Sequence, residues 1–260
     1  MKKDTLGNRM KKNYEFPFRQ HLPSNSNVIV RVDGKAFHTY TKGMDKPFDM
    51  KLISAMDIAS REVCRRIPGM KMAYTQSDEA SFWFHDTDNI KSEPWMNNNK
   101  SKIESVVSSM FTFYFNRAMD IREPAFFDAR AFTVPNEDVA NYFLWRVKDW
   151  KRNSLSMLAH KYYTHQELHK KSTKDMHEML HKKNVNWSKD LSPRLCNGLL
   201  LVENVNFDQL HTSSFKVTYE EIAKHVDPLI GKWVDDKQKT VNNCVTLNEL
   251  STGDVVYIKI

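Results

Sequence analysis

Two carboxylates in this sequence stand where phosphate chemistry would need them. Asp33 ends the run Asn27-Val28-Ile29-Val30-Arg31-Val32 and is followed at once by Gly34, and Asp78 sits in Ser77-Asp78-Glu79 between two apolar stretches. A strand-end acid followed by a glycine, which lets the backbone turn and approach a ligand closely, suits a metal-bound phosphate. If Asp33 and Asp78 meet, the pair together with the Gly34 carbonyl suits two magnesium ions, the donor set for phosphoryl or nucleotidyl transfer. The amides of Gly34, Lys35, Ala36, Phe37 and His38 are in position to cradle a triphosphate, with Lys46 adding a point charge and Ser77 a hydroxyl donor. Glu79 either supports the metal shell from outside or faces solvent. His38 reads as a packing or loop residue rather than a ligand. Asp-Gly and Ser-Asp-Glu also occur in ordinary polar turns, so spacing alone leaves a purely structural reading open.

The elements that must bring these acids together are legible in the periodicity. Val28, Val30 and Val32 share one face of a strand, and Ile29, Arg31 and Asp33 share the other. Lys42 to Pro47 is a loop. A helix follows, with Leu52, Met56, Ala59, Val63 and Ile67 on its buried face and Pro68-Gly69 closing it. Met72 to Gln76 and Ala80 to His85 form a hairpin with the acids at its turn, followed by a polar loop over 86–100. Ile103, Val107, Met110, Tyr114 and Ala118 mark a second amphipathic helix, and Phe126 to Val134 a strand stopped by Pro135. The order βαββαβ predicts an α+β fold with a palm-like, ferredoxin-like antiparallel sheet and helices on one face. Residues 1–135 are then one domain. Residues 136–260 are a helix-rich C-terminal region packed on it, with a last strand at Val255 to Ile260. Residues 1–20 form a short basic, aromatic arm resting on the body.

Several residues in the second half have two readings. Trp145 and Trp150 are core residues or base-stacking rings, and Asp128 with Arg130 forms a structural ion pair. The Lys- and His-dense stretch 160–183 is a solvated helical face or an RNA-contacting surface. The chain has 260 residues and 40% hydrophobic composition, enough for a substantial core, and its net charge of +7 favours a polyanionic partner such as nucleic acid. Cys64, Cys196 and Cys244 lack disulfide or zinc spacing, and no apolar run approaches the roughly 18 residues of a spanning helix. The expectation is a reduced, soluble, cytoplasmic protein with no membrane association.

The segments Arg31-Val32-Asp33-Gly34-Lys35-Ala36-Phe37-His38, Lys46-Pro47-Phe48-Asp49, Gln76-Ser77-Asp78-Glu79-Ala80-Ser81-Phe82, Phe127-Asp128-Ala129-Arg130, and Trp145-Arg146 through Arg152-Asn153-Ser154 occur in the order and at about the spacing of the tRNA-His guanylyltransferase superfamily. The chain resembles that superfamily, particularly its guanylyltransferase-like branch, over roughly residues 10–180. The resemblance implies a palm used for 3′ to 5′ synthesis, with Asp33, Gly34 and Asp78 binding two magnesium ions and Asp33, Asp78 and Glu79 as the catalytic acids. It implies a nucleotide held by Asp33 to His38, Lys46, Asp49, Ser77 and Asp78. It also implies ATP and GTP as substrates, a tRNA or tRNA-like RNA as acceptor, and a homotetramer. Where guanylate-adding eukaryotic members carry His-Ile-Asn-Asn-Leu-Tyr-Asn, this chain has Lys151-Arg152-Asn153-Ser154-Leu155-Ser156-Met157. That departure favours template-dependent addition or 5′-end repair, with Lys151, Arg152 and Asn153 at the RNA. A palm-type nucleotidyl cyclase and a non-catalytic RNA-binding module are the alternatives.

Overall fold

The computed structural model describes residues 5–85, 93–120, 123–202, 213–215 and 255–259. Part of the expected 86–100 loop, Cys244 and Ile260 lie outside them. The chain opens with α1 (Leu6–Met10), a wider turn over Lys11–Glu15 and a tight turn over Phe16–Phe18. Residues 5–20 are exposed, contrary to the expectation that the arm rests on the body. The chain is tied down from Gln20 onward: the Gln20 carbonyl accepts from the Lys100 amide at 2.9 Å, and the His21 ring and Leu22 amide meet the carbonyls of Asn97 and Asn98 at 2.8 Å each.

The remaining elements are β1 (Asn27–Gly34), α2 (Phe37–Tyr40), α3 (Met50–Cys64), β2 (Met70–Gln76), β3 (Glu79–Phe84), α4 (Lys100–Met119), β4 (Phe127–Val134), α5 (Val139–His160), α6 (His165–Leu168), α7 (Thr173–Lys182), α8 (Trp187–Asp190), α9 (Pro193–Asn197), β5 (Leu199–Val202), β6 (Ser213–Phe215) and β7 (Val255–Lys259). The strand order is β4-β1-β3-β2-β5-β7-β6. The pairs from β4 to β5 are antiparallel, which is the expected palm-like sheet extended by β5, and β5 pairs with β7 in parallel.

Alternation along β1 divides the core. Val28, Val30 and Val32 pack with Phe82 and Phe84 under α3 and α4. Ile29 joins Met72, Tyr74 and Trp83 on the opposite face, beneath Val139, Phe143 and Val147 of α5. The palm's own helices, α3 and α4, thus lie on one face as expected, and α5 from the C-terminal region covers the other, where Ile29, Tyr74 and Trp83 need burial. α3 ends at Cys64 rather than reaching Ile67, since the residue before Pro68 is disfavoured in the helical region. In α4 the fully buried row is Ile103, Val107, Phe111, Phe115 and Met119, with Met110, Tyr114 and Ala118 at its flank. A third cluster, built on Leu155, Leu158, Leu180, Trp187 and Cys196, packs α7 to α9 against the far half of α5.

Two clasps fasten the end of that cluster back to the palm. Arg194 grips Asp57 of α3 through Nε and Nη2, the shortest bond being 2.6 Å, and the Tyr74 hydroxyl donates to the Asn197 carbonyl at 2.7 Å. Gly198 follows at φ +81°, and a Cβ there would fall 2.5 Å from the Tyr74 hydroxyl. Glycine is what lets the chain enter β5 at this point.

Candidate functional site

The acids meet at one rim of the sheet. Asp33 is register-paired with Glu79 across β1 and β3 and with Asp128 across β1 and β4. The Gly34 amide donates to the Asp78 carbonyl at 3.1 Å, which stitches the end of β1 to the hairpin turn. That turn places Ser77 at φ 45°, a left-handed conformation uncommon for a residue with a side chain. The Ser77 hydroxyl lies beside the Asp78 carboxylate. Burial raises the Asp78 pKa, Ser77 opposes the rise, and the charge of Asp33 adds to it. Two hard carboxylates and a neighbouring carbonyl, one acid already strained by burial and its neighbour's charge, form a site that a divalent cation relieves. Among the described residues no cluster of three or more acids, histidines or cysteines forms a metal cage. Magnesium commonly takes only one or two protein carboxylates and completes its shell with phosphate and water, so the donors present fit it.

The loop after Asp33 is more occupied than its sequence suggests. The Gly34 amide is engaged by Asp78, and the Lys35 amide donates to the Phe126 carbonyl at 2.8 Å. Ala36 turns at φ 55° and opens the single helical turn α2, whose first amides, at Phe37 and His38, have no acceptor within the helix. The Phe37 side chain is directed into the core, 5.0 Å from the rings of Tyr40 and Phe127 and 5.7 Å from Phe115. Only its backbone is left for a ligand. A Cβ on Gly34 would lie 2.2 Å from that ring, so glycine is required here by the close approach of Phe37. The His38 side chain is exposed.

Asp49 caps α3, accepting from the Leu52 amide at 2.9 Å and from the Asp45 amide at 3.2 Å. Its carboxylate shapes the 45–49 loop. That loop walls a cavity of about 100 Å³ lined by Thr41, Met44, Lys46, Asp49, Ser77, Trp150 and Met157 among others. A second cavity of about 260 Å³ shares Lys46, Pro47 and Met157 with it and ends at His160 and Lys161. Trp150, read as a core residue or a base-stacking ring, lines the cavity, and Met157, Thr41 and Met44 were not anticipated as site residues. Trp150 and Met157 share the α5 face that carries Phe143 and Val147, which a helical wheel would have indicated.

Glu79 does not face solvent. Its side chain is 12% exposed and its Oε1 lies 2.8 Å from the Arg146 Nε, itself on a side chain only 7% exposed. Burial raises the Glu79 pKa, opposed by Arg146 and Arg31. Arg146 also donates to Asp149 at 2.8 Å, and Asp149 accepts from Arg152 at 2.6 Å and from Asn153 at 3.4 Å. Arg152 and Asn153 thus share one acid on α5, and the Arg152 side chain is 64% exposed.

On the same sheet face, Arg31 of β1 is register-paired with Arg130 of β4. Like charges placed opposite one another across strands are unfavourable. Among the described residues the charged contact of Arg130 is with Asp128 at 3.7 Å, both more than half exposed, and the buried Arg31 Nε lacks a hydrogen-bond partner there. The expected Asp128–Arg130 pair is therefore present and weak. Two register-paired arginines beside the acid rim, one of them in the field of the Glu79 carboxylate, are positive charge that the sequence reading overlooked. The period-two alternation of β1 and β4 was the available signal. Along 160–183, Leu168, Met176 and Leu180 turn inward and most Lys and His residues turn outward.

A sheet in palm order, paired rim acids and an adjoining cavity over a turn hydroxyl define a palm-like α+β protein of the kind that handles phosphates. Residues 7–135 match the family model described as tRNAHis guanylyltransferase. A bacterial tRNA(His) guanylyltransferase-like protein in complex with ATP is 40% identical, with a TM-score of 0.73, covering 77% of this chain and 89% of that one. One in complex with GTP is 35% identical, with a TM-score of 0.64 and 79% and 88% coverage. A probable tRNA(His) guanylyltransferase of Dictyostelium discoideum is 33% identical over 145 residues, 52% of this chain and 54% of that protein. The chain belongs to the tRNA-His guanylyltransferase family. It spans about half the length of the first curated relatives it matches, 54%, 51% and 45% of theirs.

Proposed function

We propose that this protein is a nucleotidyltransferase that extends the 5′ end of tRNA or a tRNA-like RNA in the 3′ to 5′ direction. ATP activates a 5′-monophosphate, and a nucleoside triphosphate, typically GTP, is then added. The observation that carries this reading is the Gly34–Asp78 backbone bond, which joins two strand-end acids at one rim beside Ser77 and the Lys46 cavity. Family membership and relatives in complex with ATP and GTP support it.

Asp33, Asp78 and the Gly34 carbonyl would hold two magnesium ions, which when bound activate an attacking oxygen and neutralise a leaving pyrophosphate. The rest falls to the chain. Arg31 and Arg130 hold the 5′-phosphate of the RNA, and the anion removes the repulsion between them. Lys46, Ser77 and the amides of Ala36 to His38 bind the triphosphate. Glu79, held by Arg146, acts from outside the metal shell. In the first step an oxygen of the RNA phosphate bonds to the α-phosphorus of ATP and pyrophosphate leaves. In the second the 3′-hydroxyl of the incoming nucleotide bonds to the RNA phosphorus and AMP leaves. Both are displacements at phosphorus, so one site serves both. Residues 1–135 carry the chemistry, and 136–260, with Lys151, Arg152 and Asn153, handle RNA. The residues at 151–157 favour templated addition or repair.

The buried, disulfide-free thiol of Cys64 supports a reducing, cytoplasmic setting. Among the described residues no helix is long and apolar enough to cross a membrane. Leu6, Tyr14, Phe16 and Phe18, 47–77% exposed on the arm, support self-association into a homotetramer. The test offers 5′-monophosphorylated, 5′-truncated tRNA with ATP and α-labelled GTP. Label at the 5′ end is expected; a cyclic nucleotide made without RNA, or RNA binding with no incorporation at any magnesium concentration, overturns the reading.

A further inference from the structure

We propose that Trp145 is a stacking platform for the base of the 5′-terminal nucleotide of the RNA, a nucleobase subsite beside the acid rim. The proposal rests on the function argued above and assigns to it a residue that neither charge nor cavity indicates.

The indole of Trp145 is 51% exposed, whereas Trp150, on the same helix, is 2% exposed and belongs to the interior. An exposed indole in water is ordinarily free to reorient. This one is held from several sides. The Arg146 guanidinium lies 4.2 Å from its ring centre. That guanidinium is fixed by Glu79 and Asp149, each at 2.8 Å. The ring of Tyr142 meets the indole edge-on at 5.8 Å and 71°. Tyr142 is in turn fixed by the Ser81 hydroxyl at 2.8 Å and by the ring of Phe132 at 5.7 Å. The indole therefore stays half exposed while its orientation is set by groups rooted in β3, β4 and α5.

Its place in the fold selects the ligand. Trp145, Arg146 and Glu79 form a chain of contacts that ends one residue from Asp78. On the same sheet face, Phe132 is two residues from Arg130, which is paired with Arg31. A flat apolar group on the indole and a phosphate between the two arginines are the parts of a single nucleotide. Stacking needs no base-specific hydrogen bond, so the subsite tolerates sequence and holds the RNA end in line with the rim acids.

The test uses the full chain and two 5′-monophosphorylated oligoribonucleotides, one with a 5′-terminal purine and one abasic at that position. The wild type is expected to bind the purine-ended RNA roughly 5- to 100-fold more tightly, with quenching of tryptophan fluorescence. Trp145→Ala is expected to erase the difference, and Trp145→Tyr, which keeps a ring, to retain most of it. ATP affinity stays unchanged in both. Discrimination that survives in Trp145→Ala, or a wild type that binds both oligonucleotides equally, overturns the subsite. Binding needs no turnover, so a protein that stacks the base but adds no nucleotide overturns the proposed activity and leaves the subsite standing.

Discussion

Arg146 reaches from α5 to place its Nε 2.8 Å from the Oε1 of Glu79, the residue next to the hairpin acid Asp78. The two atoms lie close but lack the alignment of a hydrogen bond. The contact is a charge pair that sets where α5 crosses the sheet. Burial of each large apolar side chain beneath it, such as Phe143, contributes about 1.5–3 kcal/mol, whereas a buried ion pair roughly breaks even against an apolar replacement. Packing holds the helix and the pair fixes its register.

Removing one partner should be costly. Arg146→Ala leaves Glu79 charged and buried, and urea denaturation at neutral pH should show a loss of about 3–5 kcal/mol. Burial already raises the Glu79 pKa, and without Arg146 it rises further. A carboxyl with a raised folded-state pKa favours the native state when protonated, so its contribution is lost as pH rises through that pKa. The deficit should therefore shrink toward acidic pH, and adding Glu79→Gln should recover part of it. A deficit independent of pH would contradict this account.

Asp33→Ala and Asp78→Ala should each abolish nucleotide addition while leaving the thermal transition within a few degrees of wild type. The acids repel one another and Asp78 is strained by burial, so their removal does not unfold the palm. Either variant retaining activity in the 5′-labelling assay would remove the metal assignment.

Gly34→Ala tests the close approach of Phe37. Three ring atoms would lie 2.2, 2.5 and 2.6 Å from the new Cβ, and the ring is boxed in by Tyr40, Phe115 and Phe127. Overpacking of this kind costs about 1–3 kcal/mol, and it should displace α2. Weaker ATP binding together with a lower denaturation midpoint is expected. Unchanged ATP affinity would show that α2 does not contact the nucleotide.

His177 supplies a pH signature in the helical extension. Its pKa is lowered by burial and by the neighbouring His181, and its ring stands 5.8 Å from Trp187. A histidine with a depressed folded-state pKa contributes stability above its unfolded value of about 6.5, and that stability is lost as pH falls through the folded value. The denaturation midpoint should drop on acidification below neutrality, and His177→Gln should flatten the drop.

What the sequence made legible was local. The alternation of β1, the hairpin around Ser77-Asp78 and the inner row of α3 were each fixed by a period within one element. The two rim acids were recovered for the same reason, since strand end and turn are both short-range features. Arg146 was missed as a partner of Glu79 because a buried ion pair between distant elements leaves no trace in either segment. The engaged amides of Gly34 and Lys35 were invisible because their acceptors are backbone carbonyls, which every residue carries. Trp145 and Trp150 could have been separated, since Phe143 and Val147 identify the buried side of α5 and only Trp150 shares it.

The position of β5 beside β2 governs how this protein can be made. Leu199 to Val202 hydrogen-bond along β2, and α5 roofs the face bearing Ile29, Tyr74 and Trp83. On a ribosome, the residues of the palm emerge long before these partners do. Until residue 202 is released, the nascent chain presents one bare strand edge and one uncovered apolar face. Stalled or truncated products ending near residue 135 should accordingly be substrates for chaperones and proteases rather than miniature enzymes.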